Sequence, residues 1–194
     1  MLNIILGLFF ILFSYKFPFY SETIKDFVNV DILPDFIGYL LIWFGLEKAT
    51  ALNRWFKDAS SLVVGLMVLT FISFFSQISF FFKDFLDTDG QIYAIILSLV
   101  KILMENGEAI VQAICMFFLG MYSTGIGHEM GNIKNSFLGS IAYGFSVIYA
   151  LLIIVFIIRQ FITFPFDMWI VTAPINLVFI LYNTIALNKI KELK

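Results

Sequence analysis

An all-α integral membrane bundle of about six transmembrane helices is the fold class this sequence predicts, and three observations predict it. Hydrophobic residues make up 61% of its 194 residues and charged ones only 13%, against roughly half and roughly a quarter in soluble domains. Several apolar runs reach the length of about 18–20 residues that crosses a hydrocarbon core of about 30 Å at 1.5 Å per residue. The polar connections between them are at most about a dozen residues long, too short to fold alone. The whole chain, residues 1–194, therefore reads as a single transmembrane domain.

The spans follow in chain order. Segment one covers about residues 2–20 and is the weakest, because Lys16 and Pro18 cut its apolar run short; its alternative is to lie in the interface. No Lys or Arg precedes it and no small-x-small cleavage site follows, so it reads as a retained helix and not a signal peptide. After a polar stretch (Glu22, Lys25, Asp26, Asn29, Asp31), segment two runs over 33–46. Its opening Leu33-Pro34-Asp35 suits a helix start, since proline lacks an N–H that would go unpaired there and an acid complements the helix dipole. Residues 47–59 set Lys48, Arg54 and Lys57 beside Trp55 and Phe56, the composition of a membrane interface. Segment three is 60–82, followed by a turn at Asp87-Thr88-Asp89-Gly90. Segment four lies within 91–122, and a loop of Gly125, Gly127, Gly131, Asn132 and Asn135 leads to segment five, 137–158. Segment six runs over 168–187.

With six crossings, Lys48, Arg54, Lys57, Lys134, Lys189, Lys191 and Lys194 share one side, and Lys16, Lys25, Lys83 and Arg159 the other. The positive-inside rule then places both termini in the cytoplasm of a multi-pass plasma-membrane protein. A net charge of −2 without a basic block makes the lipid bilayer, and no nucleic acid, the expected partner. Cys115 is the only cysteine, which excludes an internal disulfide.

The stretch from Lys101 to Gln112 carries the strongest functional signal. At 100° per residue Lys101, Glu105, Glu108 and Gln112 fall within about 60° on one helix face. An ionisable group at the bilayer centre costs about 2.5–3.5 kcal/mol. Three unpaired ones would rival the stability of a whole domain. Three arrangements answer this. Lys101 and Glu105 pair at i,i+4 within a span and leave Glu108 to a proton, cation or partner. Alternatively, residues 91–104 form an amphipathic helix in the interface. In the third, the helix breaks at Asn106-Gly107 and offers a half-helix N-terminus to a substrate. Segment six has a second polar stripe, Thr172, Asn176 and Asn183, within about 40°. These amides either bind a solute or hydrogen-bond neighbouring helices, and Pro174 would free a carbonyl beside them. In segment five Ser136, Ser140 and Gly144 form a small-xxx-small face suited to close helix packing. In segment three Thr70, Ser73, Ser76, Gln77 and Ser79 are mostly able to bond carbonyls one turn back.

Enzyme motifs are missing. His128-Glu129 lacks the second histidine of an H-E-x-x-H zinc site, position 132 being Asn132. Gly125-x-Gly127 lacks the third glycine of a dinucleotide fingerprint, and neither a P-loop nor a G-x-S-x-G elbow occurs. The expectation is no catalytic residue, no metal ligand, no cofactor and no enzymatic activity.

The segment Asp31-Ile-Leu-Pro-Asp-Phe-Ile-Gly-Tyr-Leu-Leu-Ile-Trp-Phe-Gly-Leu46 resembles one found in small, uncharacterised polytopic membrane proteins of Gram-positive bacteria. The resemblance implies a bacterial plasma-membrane location and carries no site residue with it. Two classes of function remain open. In one, the chain is a small transporter or channel component whose segments four and six line a polar path. Lys101, Glu105, Glu108, Gln112, Asn176 and Asn183 then bind a small solute or cation, with a homodimer or partner membrane protein completing the machine. In the other, it is a non-enzymatic accessory subunit that docks a partner protein through its loops and small-residue faces, with its charges at the interface.

Overall fold

Helices whose apolar side chains point in every direction have no soluble solution, because only one stripe can face a core. On the fifth helix Phe145, Tyr149 and Leu152 are buried while Val147, Leu151 and Ile154 are more than half exposed, all of them apolar or aromatic. The computed structural model describes residues 2–13, 16–21, 26–31, 34–86, 91–159, 161–162 and 168–192. Among them the chain forms α1 (Leu2–Leu12), β1 (Lys16–Ser21), β2 (Asp26–Asp31), α2 (Asp35–Glu47), α3 (Arg54–Leu86), α4 (Gln91–Asn132), α5 (Ser136–Arg159) and α6 (Trp169–Glu192). Among the described residues four stretches are long and apolar enough to cross a bilayer: Arg54–Phe75, Ala109–Asn132, Ser136–Arg159 and Ile170–Lys191. The 11 residues of α1 and 13 of α2 reach only about 16 and 20 Å at 1.5 Å per residue.

The first expected segment, 2–20, is thus corrected: its helix ends at Leu12, and Lys16–Ser21 pairs antiparallel with Asp26–Asp31 as a two-stranded hairpin, Lys16 opposite Asp31 and Ser21 opposite Asp26. Aromatic and β-branched residues (Phe17, Phe19, Tyr20, Phe27, Val28, Val30) give these strands their preference. Pro18 is tolerated because a two-stranded ribbon consists of edges. The hairpin joins α1 to α2, and the two short helices run antiparallel in close contact. A Cβ on Gly7 would strike the Gly38 carbonyl, one on Gly38 would lie 2.8 Å from Phe10 Cβ, and one on Gly45 would strike Ile4. Glycines are what bring these two backbones together.

Two further expectations change. The glycine stretch before segment five is not a loop: α4 continues through Gly125, Gly127 and Gly131 to Asn132. Two of these glycines admit a neighbouring ring, Gly125 that of Phe56 and Gly127 that of Tyr143. Nor does the helix break at Asn106-Gly107, since α4 is one helix of 42 residues, about 63 Å long. With no proline to kink it, residues 91–108 prolong the span's own helix instead of forming a separate one in the membrane plane. The α4–α5 turn is tight. Asn135 N–H donates to the Met130 carbonyl at 2.9 Å and Lys134 adopts φ 55°, a left-handed helix stop normally given to glycine. Asn135 Oδ1 then accepts from Leu138 N at 3.2 Å and caps α5.

Successive helices alternate in direction. The strand hairpin, the C-terminal ends of α3 and α5 and the N-terminal ends of α4 and α6 define one end of the bundle, here the hairpin end. The α2–α3 link, the α4–α5 turn and the end of α6 occupy the other, the terminal end. A core of Leu8, Ile42, Leu46, Val63, Leu66, Phe118, Tyr122 and Phe179 runs between them. The sixth helix docks through large rings: Phe179 lies 5.0 Å from Phe145 and 5.2 Å from Tyr149, and Tyr182 lies 5.5 Å from Phe145. Tyr182 Oη donates to the Leu138 carbonyl at 2.8 Å.

Candidate functional site

Beside these rings, toward the hairpin end, α6 carries the smaller side chains Thr172 and Asn176, and a cavity of about 250 Å³ opens between α1, α4, α5 and α6. At about 30 Å³ per water it has room for about eight waters or one small organic molecule. Its polar lining is Gln112 and Cys115 from α4, Tyr149 and Arg159 from α5, and Thr172 and Asn176 from α6; Leu119, Leu152 and Phe156 are among its apolar walls. Tyr149 Oη donates to Asn176 Oδ1 at 3.3 Å. Thr172 Oγ1 donates back to the Met168 carbonyl at 3.1 Å. The Cys115 thiol lies beside the Tyr39 hydroxyl of α2. Polar groups from α2, α4, α5 and α6 therefore converge at this level of the bundle.

Of the residues singled out from the sequence, Gln112 and Asn176 come together on this cavity, as does Thr172. Asn183 does not. It is fully buried two turns further along α6, where its Nδ2 donates to the Phe179 carbonyl at 2.7 Å. Its Oδ1 has no hydrogen-bond partner among the described residues, and the same holds for the buried Tyr122 hydroxyl. The side chains of Lys101, Glu105, Glu108 and Gln77 lie outside the described residues. Twenty-four residues separate Asn132, at the terminal end of α4, from Glu108. Those residues span about 36 Å of helix. The expected packing face of segment five, Ser136, Ser140 and Gly144, is exposed within this chain, and a Cβ on Gly144 would meet nothing within 4 Å. Thr70 bonds back to the Leu66 carbonyl at 2.8 Å, as its position within an apolar helix requires.

A second polar cluster holds the terminal end together. Asn53 Nδ2 donates to Glu129 Oε1 at 2.9 Å and to the Gly125 carbonyl at 3.1 Å, while its Oδ1 accepts from Phe56 N at 3.1 Å and caps α3. Glu129 is buried, with Asn132 Nδ2 at 3.4 Å and His128 Nδ1 at 3.8 Å from the same oxygen. One asparagine thus ties the start of α3 to α4. No group of three metal-ligating side chains occurs among the described residues.

Sequence reasoning missed Tyr149, Arg159 and Cys115 as cavity residues, and Asn53 with Glu129 as a tie. One signal was present: Phe145, Tyr149, Leu152 and Phe156 recur at helical spacing, so a hydroxyl on that stripe points into the bundle and needs a partner. No protein-family model, curated protein or solved structure matches this chain.

Proposed function

We propose that this membrane protein is a small transporter or channel component, and that the cavity at its hairpin end is where a small solute enters the bundle. One observation carries the reading: polar side chains of α4, α5 and α6 converge on a cavity in an otherwise apolar helical bundle. Polar groups within a membrane bundle are costly, and where they face a cavity they mark a solute pathway by default. The positive side chains Lys48, Arg54, Lys57, Lys134, Lys189 and Lys191 sit at the terminal end, so the positive-inside rule turns that end to the cytoplasm and the cavity to the outside. One turn from Asn176 along α6, the fully buried Phe179 packs against Tyr122, Phe145 and Tyr149. Passage across the bilayer then requires α6 to move, with a second copy or a partner membrane protein supplying the alternate state. The reading assigns no catalysis to the chain.

The test is the access of Cys115, and of single cysteines at 112, 172 and 176 in a Cys115→Ser background, to membrane-impermeant thiol reagents. Labelling from the hairpin side alone is the expected result. Four unreactive positions in folded protein, reactive after SDS unfolding, would show a dry cavity and end the transport reading. The accessory-subunit reading has its own support in the exposed small residues Ser140 and Gly144 of α5. It predicts that bulky substitutions there break an assembly with a partner while cavity labelling stays absent.

A further inference from the structure

We infer that the cavity takes an anionic group, a carboxylate or a phosphate, carried on a small amphipathic molecule; this rests on the reading of the cavity as a solute site. The inventory of hydrogen-bonding groups is one-sided. Arg159 brings a guanidinium that makes no ion pair among the described residues, and among those residues no Asp or Glu lines the cavity beside it. Asp35 is not part of the lining and sits in the first turn of α2, where the helix dipole favours its charge.

The amides add to this donor excess. Asn176 has its oxygen occupied by the Tyr149 hydroxyl at 3.3 Å, which leaves its NH₂ to donate. Gln112 makes no hydrogen bond to a described residue and lines the same cavity with its amide. A permanent cation with two amide NH₂ groups on one cavity selects a negative charge with several acceptor oxygens. Among the described lining residues a cationic ligand would find neutral oxygens and a guanidinium repelling it. Leu119, Leu152 and Phe156 line the cavity too and require an apolar portion on the ligand. Two sources supply this chemistry: a water-soluble short-chain carboxylate or alkyl phosphate, and the phosphate of an anionic lipid in the adjoining leaflet.

The experiment uses Cys115 as reporter, since it lines the cavity and is the sole cysteine. The rate of alkylation by a small maleimide is measured on purified full-length protein in nanodiscs, with hexanoate, hexyl phosphate, hexanol or hexylamine added. In the expected result the two anions protect Cys115 and the alcohol and amine do not. Arg159→Gln should raise the half-protecting concentration at least about tenfold, because a hydrogen bond to a charged group is worth about 1.5–3 kcal/mol. Arg159→Lys should restore most of the protection. Gln112→Leu, which leaves the helix terminus untouched, should weaken protection by anions as well. If phosphatidylglycerol nanodiscs protect Cys115 without any additive and phosphatidylcholine nanodiscs do not, the anion comes from lipid. Protection by hexanoate or hexyl phosphate in phosphatidylcholine points to a soluble source. Equal protection by all four additives overturns the anion inference and leaves the cavity reading standing. A thiol that reacts only after unfolding overturns both.

Discussion

The tie between α3 and α4 gives the sharpest test of how the terminal end is built. Asn53 makes three hydrogen bonds with one side chain, two donated by Nδ2 and one accepted by Oδ1. Truncation by Asn53→Ala removes a helix cap worth about 1 kcal/mol. It also removes a bond to the Glu129 carboxylate worth about 1.5–3 kcal/mol and a neutral one worth about 1 kcal/mol. The summed loss of about 4 kcal/mol corresponds to a drop in melting temperature of roughly 8–16 °C at 2–4 °C per kcal/mol for a chain of this size. Asn53→Asp separates these contributions. It keeps the cap, because Asp and Asn cap equally well, but it turns a donor into an acceptor and sets a second carboxylate against Glu129 where 2.9 Å now separates the partners. Its cost should therefore match or exceed that of Asn53→Ala.

Exchanging the roles should repair most of the damage. In the double variant Asn53→Asp with Glu129→Gln, the new amide at 129 donates to the new carboxylate at 53, and only the Gly125 carbonyl stays without its donor. The cost of Asn53→Asp should fall from at least about 4 kcal/mol in the native background to about 1 kcal/mol in the Glu129→Gln background. Equilibrium unfolding in mixed dodecylmaltoside and SDS micelles measures all four members of the cycle. An equal cost of Asn53→Asp in both backgrounds would refute the pairing and with it the role given to Glu129.

Two other predictions address the backbone. Gly38→Val should destabilise the α1–α2 pair by about 1–3 kcal/mol, because the added carbon meets Phe10 Cβ at 2.8 Å and the Gly7 carbonyl at 2.9 Å. Gly144→Leu, on the open face of α5, should show no overpacking loss in the same melting assay. Lys134→Gly should stabilise the protein by about 1 kcal/mol, since a side chain at φ 55° carries the left-handed penalty that glycine lacks. An unchanged or lower midpoint would count against that turn.

What the sequence made legible tracks the range of the physics involved. Hydrophobicity sums over a window, so the existence of the long helices was legible, and the bounds of α5, expected at 137–158 and found at Ser136–Arg159, emerged within a residue. Glycine was the ambiguous letter. Gly125, Gly127 and Gly131 sat in a row that reads as a loop, yet two of them are small because the rings of Phe56 and Tyr143 press on a helix from outside. The packing of Gly7 on Gly38 likewise depends on two helices meeting, which no single window contains. The same limit explains the site. Gln112 and Asn176 stood out as polar residues in apolar runs, whereas Arg159 looked like an ordinary charged helix end until α4 and α6 were placed beside it.

The depth of the cavity follows from the size of the side chains at successive levels of α6, and it yields a further prediction. Where α6 carries Phe179 and Tyr182, rings fill the space to α5 at centroid distances of 5.0–5.5 Å. Where it carries Thr172 and Asn176, the space is left as the cavity. Phe179 therefore lies between the cavity residue Asn176 and the buried Asn183, whose Oδ1, like the Tyr122 hydroxyl, has no partner among the described residues. Removing an aromatic ring from a dry core costs about 3–5 kcal/mol. In Phe179→Ala the new space adjoins two unsatisfied polar atoms, and a polar void of that size admits water. Hydration offsets part of the loss, so Phe179→Ala should cost less than Phe118→Ala, which empties a site equally buried on the other side of Tyr122. A cysteine at 183 in a Cys115→Ser background should be silent toward hydrophilic thiol reagents and become reactive only when Phe179→Ala is added. Silence in both backgrounds would mean that no water follows the polar face of α6 past the ring, and Asn183 would then be an amide whose only task is to bond its own helix.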